Sequence, residues 1–144
     1  MAGFTLPELV ATMVVIGILA AVVAPRFATR AEFDVFGYSE SARQALRFAQ
    51  KSAIAKRRTV CAVSASNSLS FTFGTSYGAA CSQALLDPAS SSAYTLAAPS
   101  GVTISAASFS FDPLGRPSAA QSLSVVGGNS TVNIVVEAET GYVH

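Results

Sequence analysis

The sequence predicts an α+β chain: a long N-terminal helix with two different halves, packed at its far end on a β-rich head. Three observations predict this. The segment from Phe4 to Ala24 is apolar and holds one ionisable side chain, Glu8. Ser41 to Lys56 contains no Pro or Gly and is rich in Ala, Arg, Gln, Lys and Leu, all good helix formers. From Thr59 onward the chain turns to short β-branched and aromatic runs separated by small and turn-forming residues. A length of 144 residues suits one domain, or one domain on a stem. Charged residues make up 12%, about half the share usual for a soluble domain.

The apolar segment follows Met1-Ala2-Gly3. Residues 4–24, wound as a helix at about 1.5 Å each, span roughly 30 Å, the thickness of a bilayer's hydrocarbon core. A carboxylate there costs about 3 kcal/mol, so Glu8 needs a partner or a task. One task is local. Thr5-Leu6-Pro7-Glu8 reads as a capping box, with Thr5 as N-cap and Pro7 in the first turn, where its missing N–H costs nothing. The other is a charge partner on another chain. A secretory signal peptide fits poorly, because it needs a basic start and no buried acid. A plain single-span anchor is the rival reading of the segment.

Helical signals continue beyond Pro25, which can bend a helix without ending it, and beyond Gly37, a second weak point. Ala42, Ala45, Leu46, Ala49 and Ala53 recur at helical spacing as an apolar stripe. Arg43, Arg47 and Lys51 form a separate basic stripe at i, i+4. A continuous helix from Pro7 to Arg57 would be about 75 Å long, lipid-embedded in its first half and amphipathic in its second. Charge is unevenly placed: Arg43, Arg47, Lys51, Lys56, Arg57 and Arg58 are accompanied by no acid between residues 43 and 58.

In the head, residues 59–63 and 68–73 read as two strands of a hairpin joined by Ser64-Ala65-Ser66-Asn67. Gly74 to Pro99 reads as loop. Strands resume at 102–104 and 108–111, and Asp112-Pro113-Leu114-Gly115-Arg116-Pro117 is a turn by composition. A second hairpin runs from 123–126 through Gly127-Gly128-Asn129 to 131–136.

The run Gly3-Phe4-Thr5-Leu6-Pro7-Glu8-Leu9, followed by an apolar helix, closely resembles the N-terminus of type IV pilins and pseudopilins. The resemblance is specific from Gly3 to Pro25, with Pro7 standing where the family more often has Ile or Val. It implies cleavage between Gly3 and Phe4 by a prepilin peptidase, and N-methylation of Phe4. It implies that Glu8 pairs with the terminal amine of a neighbouring subunit during assembly. Gly17 and Pro25 fall where many pilins carry helix-loosening residues. More weakly, Arg57-Arg58-Thr59-Val60-Cys61, Phe109-x-Phe111-Asp112-Pro113-x-Gly115-Arg116 and Thr140-Gly141-Tyr142-Val143 resemble minor pilins of the GspH/FimT group and of the mannose-sensitive haemagglutinin pilus. The implied organisation is a leader at 1–3, a transmembrane and assembly helix at 4–24, an amphipathic helix at 25–58 and a β-rich head at 59–144. The implied fold is pilin-like: a long N-terminal helix packed on an antiparallel sheet.

The implied place is the bacterial inner membrane, crossed once with the C-terminus in the periplasm, and then a pilus or pseudopilus. Arg26 and Arg30, which follow the span, argue for the opposite orientation by the positive-inside rule; the resemblance is followed here. An oxidising periplasm favours a disulfide between Cys61 and Cys81, with two free buried thiols as the alternative. The implied partners are other pilin subunits, the peptidase and an inner-membrane assembly platform.

No enzyme is expected. The single histidine, His144, stands last, which leaves no triad or general-base arrangement. No cofactor or metal is expected either. The basic residues Arg43, Arg47, Lys51, Lys56, Arg57 and Arg58 could contact a polyanion such as DNA, but no aromatic–basic interleaving supports base stacking. Solvation, or attraction to Glu32, Asp34 and Glu40 of a staggered neighbour, is the stronger reading of that charge. The sequence thus points to a minor pilin in pilus assembly and adhesion, ahead of a type II secretion pseudopilin and a DNA-binding minor pilin.

Overall fold

The structure is a computed structural model that describes residues 5–23 and 30–144, without the side chains of residues 22, 23, 30 and 31. Gly3, Phe4 and Pro25, and the cleavage, methylation and bend expected there, lie outside the described residues. The chain divides into two compact units, Met1–Arg30 and Ala31–His144.

The first unit holds α1, Leu6–Val23. It begins where expected: the Thr5 carbonyl accepts from the N–H groups of Glu8 and Leu9 at 3.1 and 3.2 Å. Pro7 lies in this first turn, where no N–H is missed. No side-chain bond of the expected capping box is present among the described residues. The helix has 18 residues, about 27 Å of rise. Among the described residues, no helix is long and apolar enough to cross a membrane. The apolar run of the sequence continues to Ala24, past the last described residue of α1.

α2, Arg30–Lys56, belongs to the second unit from Ala31 onward, with eight strands: β1 Val60–Ala65, β2 Ser68–Gly74, β3 Cys81–Ala84, β4 Thr95–Ala97, β5 Val102–Ile104, β6 Ala107–Phe111, β7 Gln121–Gly127 and β8 Ser130–Val136. They form two antiparallel sheets. One runs β3-β2-β1-β6, with β4 also on β2; the other runs β5-β7-β8. Both expected hairpins form. The first is tighter than expected: Ser64 and Ala65 pair with Leu69 and Ser68, leaving only Ser66 and Asn67 in the turn. The expected loop from Gly74 to Pro99 contains β3 and β4, which pair in succession along one edge of β2. These strands are short and mostly exposed, so backbone pairing rather than an apolar pattern defines them.

Burial of α2 against the strands makes the core. Ala42, Ala45, Leu46, Ala49 and Ala53, the expected stripe, are fully buried on one face of α2, and Val35, not part of that expectation, is buried with them. Strand residues such as Leu69, Phe111, Leu123, Val125, Ile134 and Val136 complete the same cluster. On β7 and β8 they alternate with more exposed neighbours, as a half-buried sheet requires. The helix side of this core is mostly alanine.

Polar side chains of α2 then fasten the far end of the chain. Arg47 donates from Nε and Nη2 to the Val143 carbonyl, at 3.2 and 2.9 Å. Gln50 Nε2 donates to the carbonyls of Gly115 and Thr140, at 3.0 and 2.9 Å. Gly141, at φ 66, lies against Gly115 O and the Gln50 amide, where a Cβ has no room. The segment after β8 folds back on it: Val135 and His144 exchange backbone bonds of 2.8 and 3.0 Å, and Val143 is fully buried.

Cys61 and Cys81 form a disulfide with a Cα–Cα distance of 6.1 Å. It ties β1 to β3, which are not neighbours in the sheet. Replacing both cysteines by serine is expected to lower unfolding free energy by about 3 kcal/mol, measured by urea denaturation. Gln50→Ala is expected to cost about 1–3 kcal/mol by leaving two carbonyls without their donor. Gly141→Ala is expected to cost about 1 kcal/mol or more from crowding and an unfavourable φ. Thermal unfolding of the two variants checks both.

Candidate functional site

Two surfaces carry the candidate residues. The first is α1. Every described side chain from Thr5 to Ala21 is exposed, including Leu6 at 80% and Leu9 at 49%. A helix apolar on all sides is normally covered by protein or by lipid. Glu8 is its single described ionisable group and lines a shallow groove with Ala11, Thr12, Val15 and Ile16. These positions fall at i+3/i+4 and i+7/i+8, so the carboxylate heads an apolar stripe. Thr12 adds little polarity, because its hydroxyl donates to the Leu9 carbonyl at 2.9 Å. Gly17 faces open space, with nothing within 4 Å of where a Cβ would lie.

The second surface is α2 with the loops at its C-terminal end. The six bases that could contact a polyanion are held differently. Arg43 donates to Glu40 and to the Asn133 carbonyl, both at 3.3 Å, and Arg47 is committed to Val143. Their guanidinium groups therefore serve the fold. Lys51 and Arg57 are exposed, and Arg58 is half-buried. Lys56, also exposed, holds its ammonium 5.0 Å from the centre of the Phe73 ring.

α2 ends in a Schellman arrangement, with Arg57 N–H bonded to Ile54 O at 3.2 Å and Arg58 N–H to Ala53 O at 3.1 Å. Arg57 takes φ 50, a left-handed conformation usually given to glycine at this position. It faces a groove of about 610 Å³ shared with Ile54, Tyr77, Asp112, Pro113 and Leu114. The Asp112 carboxylate accepts from the N–H groups of Leu114 and Arg116, each at 2.8 Å, and so organises its own turn.

Two of the motifs singled out in the sequence meet in space. The turn at 112–117 and the segment Thr140-Gly141-Tyr142-Val143 come together around Gln50. Gln50 itself carried no signal in the sequence, because its partners lie 65 and 90 residues away. Tyr77 and Leu114 were equally silent, being loop residues with no periodic neighbours.

Elsewhere on the head, the Asp87 carboxylate accepts from the Ala89 N–H and the Ser90 hydroxyl, bonds that hold it below its ordinary value. Tyr94 packs between Phe48 and Phe71, and its hydroxyl is pushed up, first by burial and then by the Asp87 charge. His144 lies 3.0 Å from Glu137 and stacks on Tyr142. Among the described residues, no group of three His, Cys, Asp or Glu side chains could hold a metal ion.

No protein-family model matches the chain. No curated protein matches it either. The structure is similar to the type IV minor pilin FimU of Pseudomonas aeruginosa in two crystal forms. One gives a TM-score of 0.59 at 13% identity, covering 82% of this chain and 90% of the crystallised FimU chain. The other gives 0.56 at 11% identity, covering 75% and 89%. At such identity the likeness speaks to fold, and the architecture of this chain is α+β and pilin-like, an N-terminal helix with antiparallel β-sheets.

Proposed function

We propose that the chain is a structural subunit of a type IV pilus, a minor pilin that takes part in pilus assembly and adhesion. One observation supports this above the others. A head with the fold of FimU is joined, in one chain, to a helix whose described surface is apolar and exposed on every side except at Glu8.

In this reading, residues 4–24 first reside in the inner membrane, with the head in the periplasm. A prepilin peptidase removes Met1-Ala2-Gly3, and the amine of Phe4 is methylated. The assembly platform then moves the helix out of lipid and into a bundle of like helices. Apolar surface stays covered throughout, so the transfer trades one dry environment for another. Glu8 is the exception. Its desolvation costs about 3 kcal/mol, which the cationic terminus of a neighbouring Phe4 offsets only in the correct register. Gly17 and Pro25 give the helix room to adjust. A short periplasmic pseudopilus would use the same surfaces.

A second reading is DNA capture by the head, supported by the exposure of Lys51, Lys56 and Arg57. It is the weaker one, because Arg43 and Arg47 are engaged with backbone carbonyls.

Two measurements on cells test the pilin reading. Mass spectrometry of the mature protein is expected to find methylated Phe4 as the first residue. Recovery of intact Met1-Ala2-Gly3 on all copies would overturn the reading. Glu8→Ala is expected to leave membrane insertion intact and to reduce recovery in sheared fibres by about tenfold or more, as loss of a buried charge partner implies. Unchanged recovery would remove Glu8 from register setting.

A further inference from the structure

One cleft on the head holds polar groups that the fold itself leaves unused. Phe48, Ser52 and Lys56 follow one another at four-residue steps along α2 and line it from the helix side. Phe73 of β2 and Gln83 of β3, opposite each other in the register, line it from the sheet side, with Leu85 and Leu86 just beyond β3. Its volume is about 380 Å³, at the small end of ligand-binding clefts. Ser52 is the informative residue, because it is only 8% exposed. A helical serine normally returns its hydroxyl to a carbonyl three or four residues back. Ser39 and Ser41 do so, each at 2.9 Å. The Ser52 hydroxyl makes no hydrogen bond among the described residues, where every fully enclosed side-chain nitrogen or oxygen has a partner. Its oxygen therefore keeps access to solvent, and the cleft is the surface it opens on. Lys56 holds its ammonium 5.0 Å over the Phe73 ring and forms no ion pair among the described residues. None of the lining residues is acidic. Asp87, which follows Leu86 in sequence, has its carboxylate committed to the Ala89 N–H and the Ser90 hydroxyl.

We propose that this cleft binds a small monocarboxylate, with an aromatic or branched apolar body against Phe48, Leu85 and Leu86 and its carboxylate accepting from Lys56, the Ser52 hydroxyl and the Gln83 amide. The donors select the head group. An ammonium and a hydroxyl without a partner call for an anionic acceptor, and a carboxylate offers two acceptor oxygens and no donor. Ser52 and Lys56 lie one turn apart, about 6 Å along the axis, a distance that the flexible lysine stem closes onto one carboxylate. The apolar lining selects the body and supplies the affinity that a half-exposed ion pair does not. The volume suits one ring or a short branched chain. The site lies wholly within the unit Ala31–His144, and its test is independent of pilus assembly.

The test uses the full chain in nanodiscs of zwitterionic lipid, with isotope-labelled Leu and Ala methyl groups followed by NMR during titration with 3-phenylpropionate. Saturable shifts are expected at Ala84, Leu85 and Leu86, and not at Leu114 or Leu123. The alcohol 3-phenylpropanol, the same body without the charge, is expected to bind about tenfold more weakly. Lys56→Met is expected to weaken the acid about tenfold and Ser52→Ala about threefold, while Lys56→Arg retains it. Thermal midpoints of the three variants are expected to stay unchanged, since neither side chain is used by the fold. Equal affinity for acid and alcohol, unchanged affinity in both Lys56→Met and Ser52→Ala, or no saturable shift at the three cleft residues would overturn the site. Binding of acetyl-Ala-Phe about tenfold tighter than the free acid would overturn the choice of occupant, replacing it by the end of a peptide chain.

Discussion

The head depends on burying one face of α2 together with the inward faces of its strands. Ala42, Ala45, Ala49 and Ala53 are fully buried, and their small side chains let strand residues such as Phe111, Leu123 and Ile134 fill the interface. Close packing of this kind tolerates little change of volume on the helix side. Arg47 and Gln50 bond to carbonyls of segments that are distant in sequence. Alanine stripe and polar latch therefore act together: the first buries the helix face, the second fixes which segments lie beside it.

The two helices present different surfaces. α2 buries one face and exposes the other, the usual arrangement for a helix on a sheet. α1 has no such division, and its described side chains are exposed all round. Apolar surface of that extent is a driving force for association in any aqueous setting. A lone carboxylate on it converts a general affinity into a selective one, because only an arrangement that answers the charge recovers the cost of drying it.

Much of this was legible in the sequence because it is local. Turn residues at Gly127-Gly128-Asn129 placed the second hairpin, periodic alanines gave the buried face of α2, and two cysteines outside the apolar segment suggested their own pairing. What was hidden depends on distance. β3 and β4 have weak patterns and exist because β2 offers an unpaired edge. Arg43 and Arg47 looked like members of a solvent-facing stripe, since helical spacing cannot reveal carbonyls 90 and 96 residues further on. The groove beside Arg57 joins the end of α2 to residues of two loops, and nothing in either stretch announces the other.

The latch between α2 and the segment around Val143 has a consequence for how the molecule is made. Arg47 and Gln50 leave the ribosome long before the carbonyls they hold. Until residues 140–143 have been made, those donors have only water to bond, and the place of Val143 stays open. Closure of the head is therefore a late event, timed by synthesis of the segment after β8. A head stalled before that point would present a half-covered sheet to chaperones and proteases.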